Sequence, residues 1–312
     1  AGIISSARPI GIPSSSLELG LSGPGIRLGL TSQTGKPIMA LSFSRVRLSP
    51  FHQRFNPMDN NMPFSLDGRV ALVTGSSTGL GKAVAFGLAR SGAKVALNYF
   101  NNEERAAQTF SEFEAEGFEG VMLRGDVSDE DSVNALCAEA AEKLGAIDIL
   151  VVNATPDQPQ MPIEEFTWDH YQAMIDFFIK SPYLLTRAVL PHMKESRWGR
   201  IINITSEVFQ RSIGNFSAYV SAKGGQIGFT RSMATELAPF NITVNLVAPG
   251  WIPVERHEDD PQEQKDGYRE QIPMDRWGVP DDIAGAVTYY ASDEAGFVTG
   301  QTICVNGGMS PW

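Results

Sequence analysis

The feature that most constrains the fold is a regular alternation of short β-branched runs with amphipathic segments. Apolar positions repeat at helical spacing in segments such as 81–91, 103–116 and 131–144. The runs span residues 69–73, 94–99, 120–124, 147–152, 200–204, 242–247 and 302–305. Strand–helix alternation predicts a parallel sheet with helices on both faces, and right-handed crossovers make it doubly wound. We therefore predict a single α/β domain over residues 63–312.

Composition excludes several classes of protein. No apolar run in the 312 residues approaches the roughly 20 that cross a bilayer, so we expect no membrane partner. The net charge of −11 disfavours a nucleic-acid partner, which selects for a basic face. Two distant cysteines, Cys137 and Cys304, exclude a disulfide scaffold and suggest reduced, buried thiols. We predict no metal site, because the histidines show no metal-ligand spacing: His52, His170, His192 and His257.

Residues 1–62 differ in character from the rest. They hold six basic and two acidic residues and are rich in Ser, Gly and Pro, without a sustained helix or strand period. We predict a disordered N-terminal extension outside the fold of a cytoplasmic protein. Two alternatives stay open: an organelle transit peptide, or a true start at Met58 or Met62.

A glycine-rich loop, TGSSTGLG at residues 74–81, follows the first apolar run and opens a helix predicted to start near Lys82. Its glycines, Gly75, Gly79 and Gly81, permit a tight turn and close approach of backbone to a ligand. The helix N-terminus then offers free N–H groups and the positive end of its dipole to a phosphate. The context after a strand and before a helix predicts a dinucleotide site.

The end of the second run suggests which dinucleotide binds. A carboxylate there would hold the ribose 2′-hydroxyl and repel a 2′-phosphate, but Tyr99 occupies that place. No arginine replaces it, since Arg105 is a turn further on. We therefore favour NADP(H) over NAD(H). Asp126 and Val127 follow the third run, where they would meet the adenine; alternatively Asp126 caps the next helix, in competition with Ser128.

A second signal is YVSAK at residues 219–223, with Ser206 thirteen residues before Tyr219. Tyr219 and Lys223 lie one turn apart on one helix face. A nearby ammonium favours the phenolate, so Lys223 is expected to lower the tyrosine pKa. Such a phenol exchanges a proton with a carbonyl or alcohol oxygen while hydride moves to or from a nicotinamide. Ser206 ends an apolar run, where its hydroxyl can bind the same oxygen.

Together these motifs resemble the classical short-chain dehydrogenase/reductase family over residues 63–312. Further matching motifs are DV (126–127), VNAT (152–155), APGWI (248–252) and VNGG (305–308). The resemblance implies a single-domain Rossmann fold with a seven-stranded sheet and a homotetramer or homodimer. It implies that Tyr219 is the catalytic acid/base, that Lys223 lowers its pKa and binds the nicotinamide ribose, and that Ser206 positions the carbonyl.

The resemblance also implies the cofactor contacts. We expect them from Gly75, Ser77, Thr78, Gly79, Leu80, Gly81, Tyr99, Asp126, Val127, Asn153, Ala154, Tyr219, Lys223, Pro249, Gly250 and Ile252. Three residues depart from the family pattern. Thr155 replaces the last glycine of NNAG, Val254 stands where threonine is frequent, and Phe178 stands where an asparagine usually holds a relay water. Phe178 cannot hold that water.

The expected substrate is a small carbonyl or alcohol compound. The chain most resembles 3-oxoacyl-(acyl-carrier-protein) reductases; sugar or polyol dehydrogenases and a weakly active cofactor-binding protein are the alternatives. The segment 251–277 is expected to form a mobile lid, and its acidic residues should repel an acidic carrier. Four aromatic residues are expected either to shape the pocket or to pack in the core: Phe209, Phe216, Trp251 and Trp277.

Overall fold

The structure, a computed structural model, describes residues 63–311 and two short N-terminal strands. Strands β1 (Leu28–Thr31) and β2 (Pro37–Leu41) pair antiparallel. No strand is predicted here, because the two sequences, LGLT and PIMAL, hold only one β-branched residue each. The other predictions for residues 1–62, namely disorder, a transit peptide or a later start, lie outside the described residues and stay predictions.

A seven-stranded parallel sheet forms the centre of residues 63–311, which confirms the predicted doubly wound Rossmann fold. Its order is β5-β4-β3-β6-β7-β8-β9. The strands are β3 (Val70–Val73), β4 (Lys94–Tyr99), β5 (Gly120–Arg124), β6 (Ile149–Val152), β7 (Gly199–Ile204), β8 (Ile242–Pro249) and β9 (Thr302–Val305). The chain order reverses between β3 and β6, and ligands of open α/β sheets bind at the carboxyl ends of the strands beside such a reversal.

Helices cover both faces of this sheet. They are α1 (Gly79–Arg90), α2 (Glu103–Ala115), α3 (Glu130–Leu144), α4 (Trp168–Ile175), α5 (Ser181–Ser196), α6 (Val208–Arg211), α7 (Ser217–Leu237), α8 (Gln262–Arg269) and α9 (Pro280–Ala291). Side chains alternate between two buried clusters along each strand. Ala71 and Val73 face the cluster with α1 and α9, whereas Leu72 faces the one with α3, α5 and α7.

Two helix starts differ from the predictions. Helix α1 begins at Gly79, one turn before Lys82, because the loop glycines themselves form its first turn. Helix α3 is capped by Asp129, whose carboxylate accepts from the Ser132 backbone N–H at 2.8 Å. Neither Asp126 nor Ser128 is therefore the cap. Among the described helices, none is both long and apolar enough to cross a membrane.

Candidate active site

The glycine loop between β3 and α1 has no room for side chains at its turning points. Gly75 and Gly79 have positive φ angles of 61° and 56°, which favour glycine. A Cβ on Gly81 would lie 2.2 Å from the Gly75 carbonyl oxygen, and one on Gly75 would lie 2.8 Å from Ala154 Cα. Only glycine therefore fits these positions, as in the tight turn of a phosphate-binding loop.

Asn153, at the end of β6, holds this loop in place. Its side-chain Nδ2 donates to the carbonyl oxygens of Thr74 at 2.9 Å and of Gly75 at 3.0 Å. The Thr74 hydroxyl in turn accepts from the backbone N–H groups of Asn153 and Ala154 at 2.9 and 3.1 Å. Asn153 and Ala154 thus shape the loop. The neighbouring Thr155 is exposed and bonds only within its own segment.

The N-terminus of α1 fits a phosphate. Thr78 is its N-cap residue but makes no side-chain capping bond, and its hydroxyl oxygen is buried without a hydrogen-bond partner. The first turn carries no acidic residue, so the positive dipole end is uncompensated. Ser77 presents its backbone, with its carbonyl accepting from Thr109 at 2.8 Å, and Leu80 packs on the core. These features suit a pyrophosphate group.

The end of β4 brings together residues that the sequence keeps apart. Tyr99 pairs in register with Arg124, the last residue of β5. The Arg124 Nε donates to the Phe100 carbonyl oxygen at 3.1 Å, and its guanidinium lies near the Phe100 ring. The sequence alone does not indicate this arginine, because it lies on another strand and meets Tyr99 only through strand pairing. Parallel pairing places a cation beside Tyr99.

Asp126 and Val127, just after β5, have mainly structural contacts. The Asp126 carboxylate accepts from the backbone and hydroxyl of Ser128 at 2.8 and 2.7 Å. The Asp126 N–H donates to the Ser132 hydroxyl at 2.7 Å, and Val127 is buried in the core. A ligand could reach Val127 only through its backbone.

Ser206, Tyr219 and Lys223 converge beyond the carboxyl end of β7. Ser206 follows the strand; its hydroxyl accepts from the Val208 backbone N–H at 3.3 Å and lies close enough to the Tyr219 phenol to lower its pKa. Tyr219 and Lys223 lie one turn apart on α7 and are both buried. The Lys223 ammonium donates to the Ile204 carbonyl oxygen at 2.7 Å and to Gln226 Oε1 at 3.3 Å. The three predicted residues are therefore neighbours.

The protonation of the pair differs from the expectation that an ammonium lowers the tyrosine pKa. Burial raises the pKa of Tyr219 to about 12, outweighing the lowering effects of the Ser206 hydroxyl and the Arg256 charge. Burial also holds the pKa of Lys223 well below its usual value, with a smaller contribution from Arg256. Desolvation thus disfavours the ammonium itself. Tyr219 is a neutral phenol at pH 7.

Phe178 lies against both residues of this pair. Residues Asp176–Lys180 form a π-helical turn between α4 and α5, a distortion that is frequent at functional sites. The buried Phe178 ring contacts the Tyr219 ring edge-on, with centroids 5.3 Å apart, and its face lies 3.8 Å from the Lys223 ammonium. The position that usually holds a relay asparagine is therefore filled by an aromatic surface.

The strand β8 leads from the site into the lid. Pro249 ends β8, and a Cβ on Gly250 would lie 2.8 Å from the Tyr268 hydroxyl. Ile252 is buried in the core, and the Val254 side chain lies against Gly79. A cavity of about 820 Å³ opens between α1 and the lid, lined by Gly79 and Val254 but by none of the Ser206, Tyr219 and Lys223 group.

Glu207 ties the lid to the site. This buried carboxylate accepts from the Tyr268 hydroxyl at 2.5 Å, from Arg211 at 2.9 Å and from Asn306 at 3.0 Å. The Tyr268 hydroxyl also accepts from the Trp251 N–H at 2.7 Å. The sequence alone does not indicate this role of Glu207, because Tyr268 and Asn306 are distant along the chain. A lid expected to be mobile is thus hydrogen-bonded to the residue that follows Ser206.

The aromatic residues proposed for a pocket separate into two groups. Trp251 and Trp277 pack around Tyr268 within the lid, with the Tyr268 and Trp277 rings stacked. Phe216 is buried against Tyr219, with ring centroids 4.9 Å apart. Phe209 remains largely exposed. The lid's acidic side chains face solvent except the half-buried Asp260, as expected of a solvated surface: Glu255, Glu258, Asp259, Asp260, Glu263, Asp266 and Glu270.

Comparison with known proteins shows which family this chain resembles. The family model described as enoyl-(acyl carrier protein) reductase matches residues 75–310. Nodulation protein G of Azospirillum brasilense is 41% identical over 244 residues, covering 78% of this chain and 98% of that protein. The 3-oxoacyl-[acyl-carrier-protein] reductase FabG of Escherichia coli is 39% identical over 247 residues, covering 78% and 98%.

Solved structures give the same result. A putative gluconate dehydrogenase from Agrobacterium tumefaciens superposes with a TM-score of 0.75 at 34% identity, covering 79% of this chain and 97% of that one. A gluconate 5-dehydrogenase from Burkholderia cenocepacia, in complex with NADP and tartrate, gives 0.74 at 35% identity, covering 79% and 96%. The chain belongs to the short-chain dehydrogenase/reductase family and is an oxidoreductase that acts on carbonyl or alcohol groups with NAD(P).

Proposed function

We propose that the chain reduces a ketone to a secondary alcohol with NADP(H), using Ser206, Tyr219 and Lys223. The observation that carries the proposal is the placement of a buried Tyr219 phenol on α7, one turn from Lys223 and close to the Ser206 hydroxyl beyond the carboxyl end of β7. A group with a pKa of about 12 is a proton donor at pH 7. Its protonation favours reduction over the reverse reaction.

The roles follow from the contacts. The Ser206 hydroxyl binds the substrate oxygen next to Tyr219. When bound, the reduced nicotinamide supplies the hydride that adds to the carbonyl carbon. Tyr219 donates its phenolic proton to the oxygen as the C=O π electrons move there, which completes the alcohol and leaves a phenolate. Lys223 stabilises that phenolate through its charge. Water from solvent finally restores the proton.

The cofactor is held by the loop backbone and the first turn of α1. Gly75, Ser77, Thr78, Gly79, Leu80 and Gly81 would bind the pyrophosphate, and Tyr99, Asp126 and Val127 the adenosine. On the nicotinamide side, the proposed contacts are Asn153, Ala154, Pro249, Gly250, Ile252, Tyr219 and Lys223. The preference for NADP(H) is supported by the missing carboxylate at Tyr99 and by the Arg124 guanidinium beside it, because a 2′-phosphate pairs with arginine.

Among substrates, a 3-oxoacyl thioester is our first candidate, supported by the relatives named as 3-oxoacyl-[acyl-carrier-protein] reductases. A sugar-derived or polyol substrate is the second. It is supported by the structural neighbours named as gluconate dehydrogenases and by the exposed acidic lid, which repels an acidic carrier. A homotetramer or homodimer is the proposed assembly, by family resemblance.

The test is absorbance at 340 nm with NADPH and NADH against a panel of 3-oxoacyl thioesters, keto sugars and sugar acids. Oxidation of NADPH by one of these classes, abolished in Tyr219→Phe, supports the proposal and selects the substrate. Cofactor binding without turnover of any of them would favour the alternative of a weakly active cofactor-binding protein. Turnover that survives in Tyr219→Phe would contradict the assigned proton donor.

A further inference from the structure

We propose that Gln226 is a positioning residue that supplies the side-chain acceptor of Lys223, at a site where the Phe178 ring occupies the usual position of the relay asparagine. The inference rests on the proposed function of Tyr219 and Lys223. It concerns three buried groups on two elements, α7 and the π-helical turn Asp176–Lys180.

The Lys223 ammonium has three N–H donors, and three neighbours surround it. The Ile204 carbonyl oxygen accepts at 2.7 Å, Gln226 Oε1 accepts at 3.3 Å, and the Phe178 ring face lies 3.8 Å away. An aromatic face attracts a cation but accepts no directional hydrogen bond of normal strength. Gln226 is therefore the one side-chain oxygen that the described residues provide to this ammonium.

The Gln226 acceptor is important because it and Lys223 are both buried. Gln226 is 1% exposed and Lys223 3% exposed, so bulk water does not replace a lost hydrogen bond. Lys223 is deep enough that desolvation already disfavours its charged form. Each remaining acceptor consequently governs how much ammonium persists beside Tyr219. Glutamine at this place is a costly choice for core packing, and its bond to Lys223 explains it.

Phe178 and Gln226 contact the Lys223 ammonium from two different elements. The π-helical turn presents the Phe178 ring to the ammonium in place of the relay asparagine, and α7 supplies the Gln226 amide three residues after Lys223. The charged and titratable groups facing Lys223 are Tyr219 on its own helix and Arg256 on the lid. The remaining neighbours, Ile204 and Phe178, are uncharged.

Removing the Gln226 amide should change the pKa of Lys223 and the pKa of Tyr219, each in a definite direction. In Gln226→Leu the ammonium loses an acceptor, so the pKa of Lys223 falls further and less positive charge remains beside Tyr219. The pKa of Tyr219 then rises. Alcohol oxidation requires the phenolate, so its rate at pH 8 should fall roughly tenfold and its rise with pH should move upward by about one unit. The KM for the alcohol should stay within about twofold, because uniform substrate binding is unchanged.

Thr230→Val is the matched control. Thr230 lies one turn further along α7, is equally buried and is hydrogen-bonded to Asn203 at 2.9 Å instead of to Lys223. It should lose stability comparably while keeping the wild-type pH profile. The decisive arm is Phe178→Asn combined with Gln226→Leu. An amide introduced at residue 178 gives the ammonium an acceptor again, so the double variant should recover to within about threefold of the wild-type rate.

Two outcomes would overturn the proposal: a Gln226→Leu enzyme, folded by circular dichroism, with the wild-type pH profile, or a double variant that is no faster than Gln226→Leu alone. A measurement without turnover separates this from failure of the proposed function. The Lys223 side-chain carbon signal, assigned with Lys223→Met, should titrate at lower pH in Gln226→Leu than in wild type. Equal titration contradicts the inference even if no substrate is found.

Discussion

The two halves of the site, on either side of the break between β3 and β6, are built by different means. On the β3 side, the glycine loop is shaped by backbone geometry within a single connection, from Gly75 to Gly81. On the β7 side, Tyr219 and Lys223 depend on side chains from the π-helical turn and the lid. The first half follows the family pattern closely, whereas the second departs from it at Phe178.

This difference indicates where variation is tolerated. A phosphate loop leaves no space for change, because a Cβ at Gly81 meets backbone at 2.2 Å. Around Lys223 the site needs only hydrogen-bond acceptors for the ammonium and a surface that packs against it. Several residue types can supply each of these. The glycine-loop half therefore limits which backbone conformations are possible. The half with Tyr219 and Lys223 limits the electrostatic environment of these two side chains.

The largest effect is expected from Tyr219→Phe. It removes the proton donor and keeps the ring packed against Phe178 and Phe216, so the rate should fall roughly 10²–10⁴-fold while cofactor affinity changes little. Single-turnover absorbance and cofactor titration measure the two quantities. A rate within threefold of wild type would remove Tyr219 from the mechanism.

Gly81→Ala should damage the other half. Its Cβ collides with the Gly75 carbonyl and Asn153 Nδ2, so we expect at least about a tenfold loss of dinucleotide affinity, with the β7 side intact. Gly285→Ala on α9 is the control, because a Cβ there has open space and should stabilise the helix by about 0.5–1 kcal/mol. Fluorescence titration with the reduced cofactor measures the dinucleotide affinity of both variants. Unchanged affinity in Gly81→Ala would show that the loop is not the phosphate site.

Tyr268→Phe tests the lid attachment. It removes a hydrogen bond to buried Glu207 and leaves the Trp251 N–H without its acceptor, which should cost about 1–3 kcal/mol of stability. We expect a several-fold higher substrate KM and faster proteolysis within residues 251–277. Tyr289→Phe, on α9 and remote from the lid, is the control in thermal unfolding and limited proteolysis. Identical proteolysis of both variants would argue against a latch at Glu207.

The smallest effect concerns cofactor choice. Arg124→Ala should weaken NADP(H) binding about three- to tenfold and leave NAD(H) nearly unchanged, because only the former carries a 2′-phosphate. Tyr99→Asp should act in the same direction by like-charge repulsion and reverse the preference. Parallel titrations with both cofactors are sufficient. Equal losses for the two cofactors would assign Arg124 a structural role.

Local features of this fold can be predicted from the sequence. The strands and the glycine loop can be identified within a few residues, and Tyr219 and Lys223 share one helix turn. Contacts between distant parts of the chain cannot be predicted in this way: Arg124 beside Tyr99, and Glu207 with Tyr268. The expected lowering of the Tyr219 pKa was wrong, because the spacing to Lys223 indicates a neighbour but not how deeply both groups are buried.

The most direct test of the account is the pH dependence of wild-type turnover in both directions. With a Tyr219 phenol that stays protonated to about pH 12, carbonyl reduction should be flat between about pH 6 and 9. Alcohol oxidation, which needs the phenolate, should rise about tenfold per pH unit over the same range. A reduction rate that falls with a midpoint below pH 8, or oxidation that reaches a plateau there, would contradict the claim that burial keeps Tyr219 protonated as the proton donor.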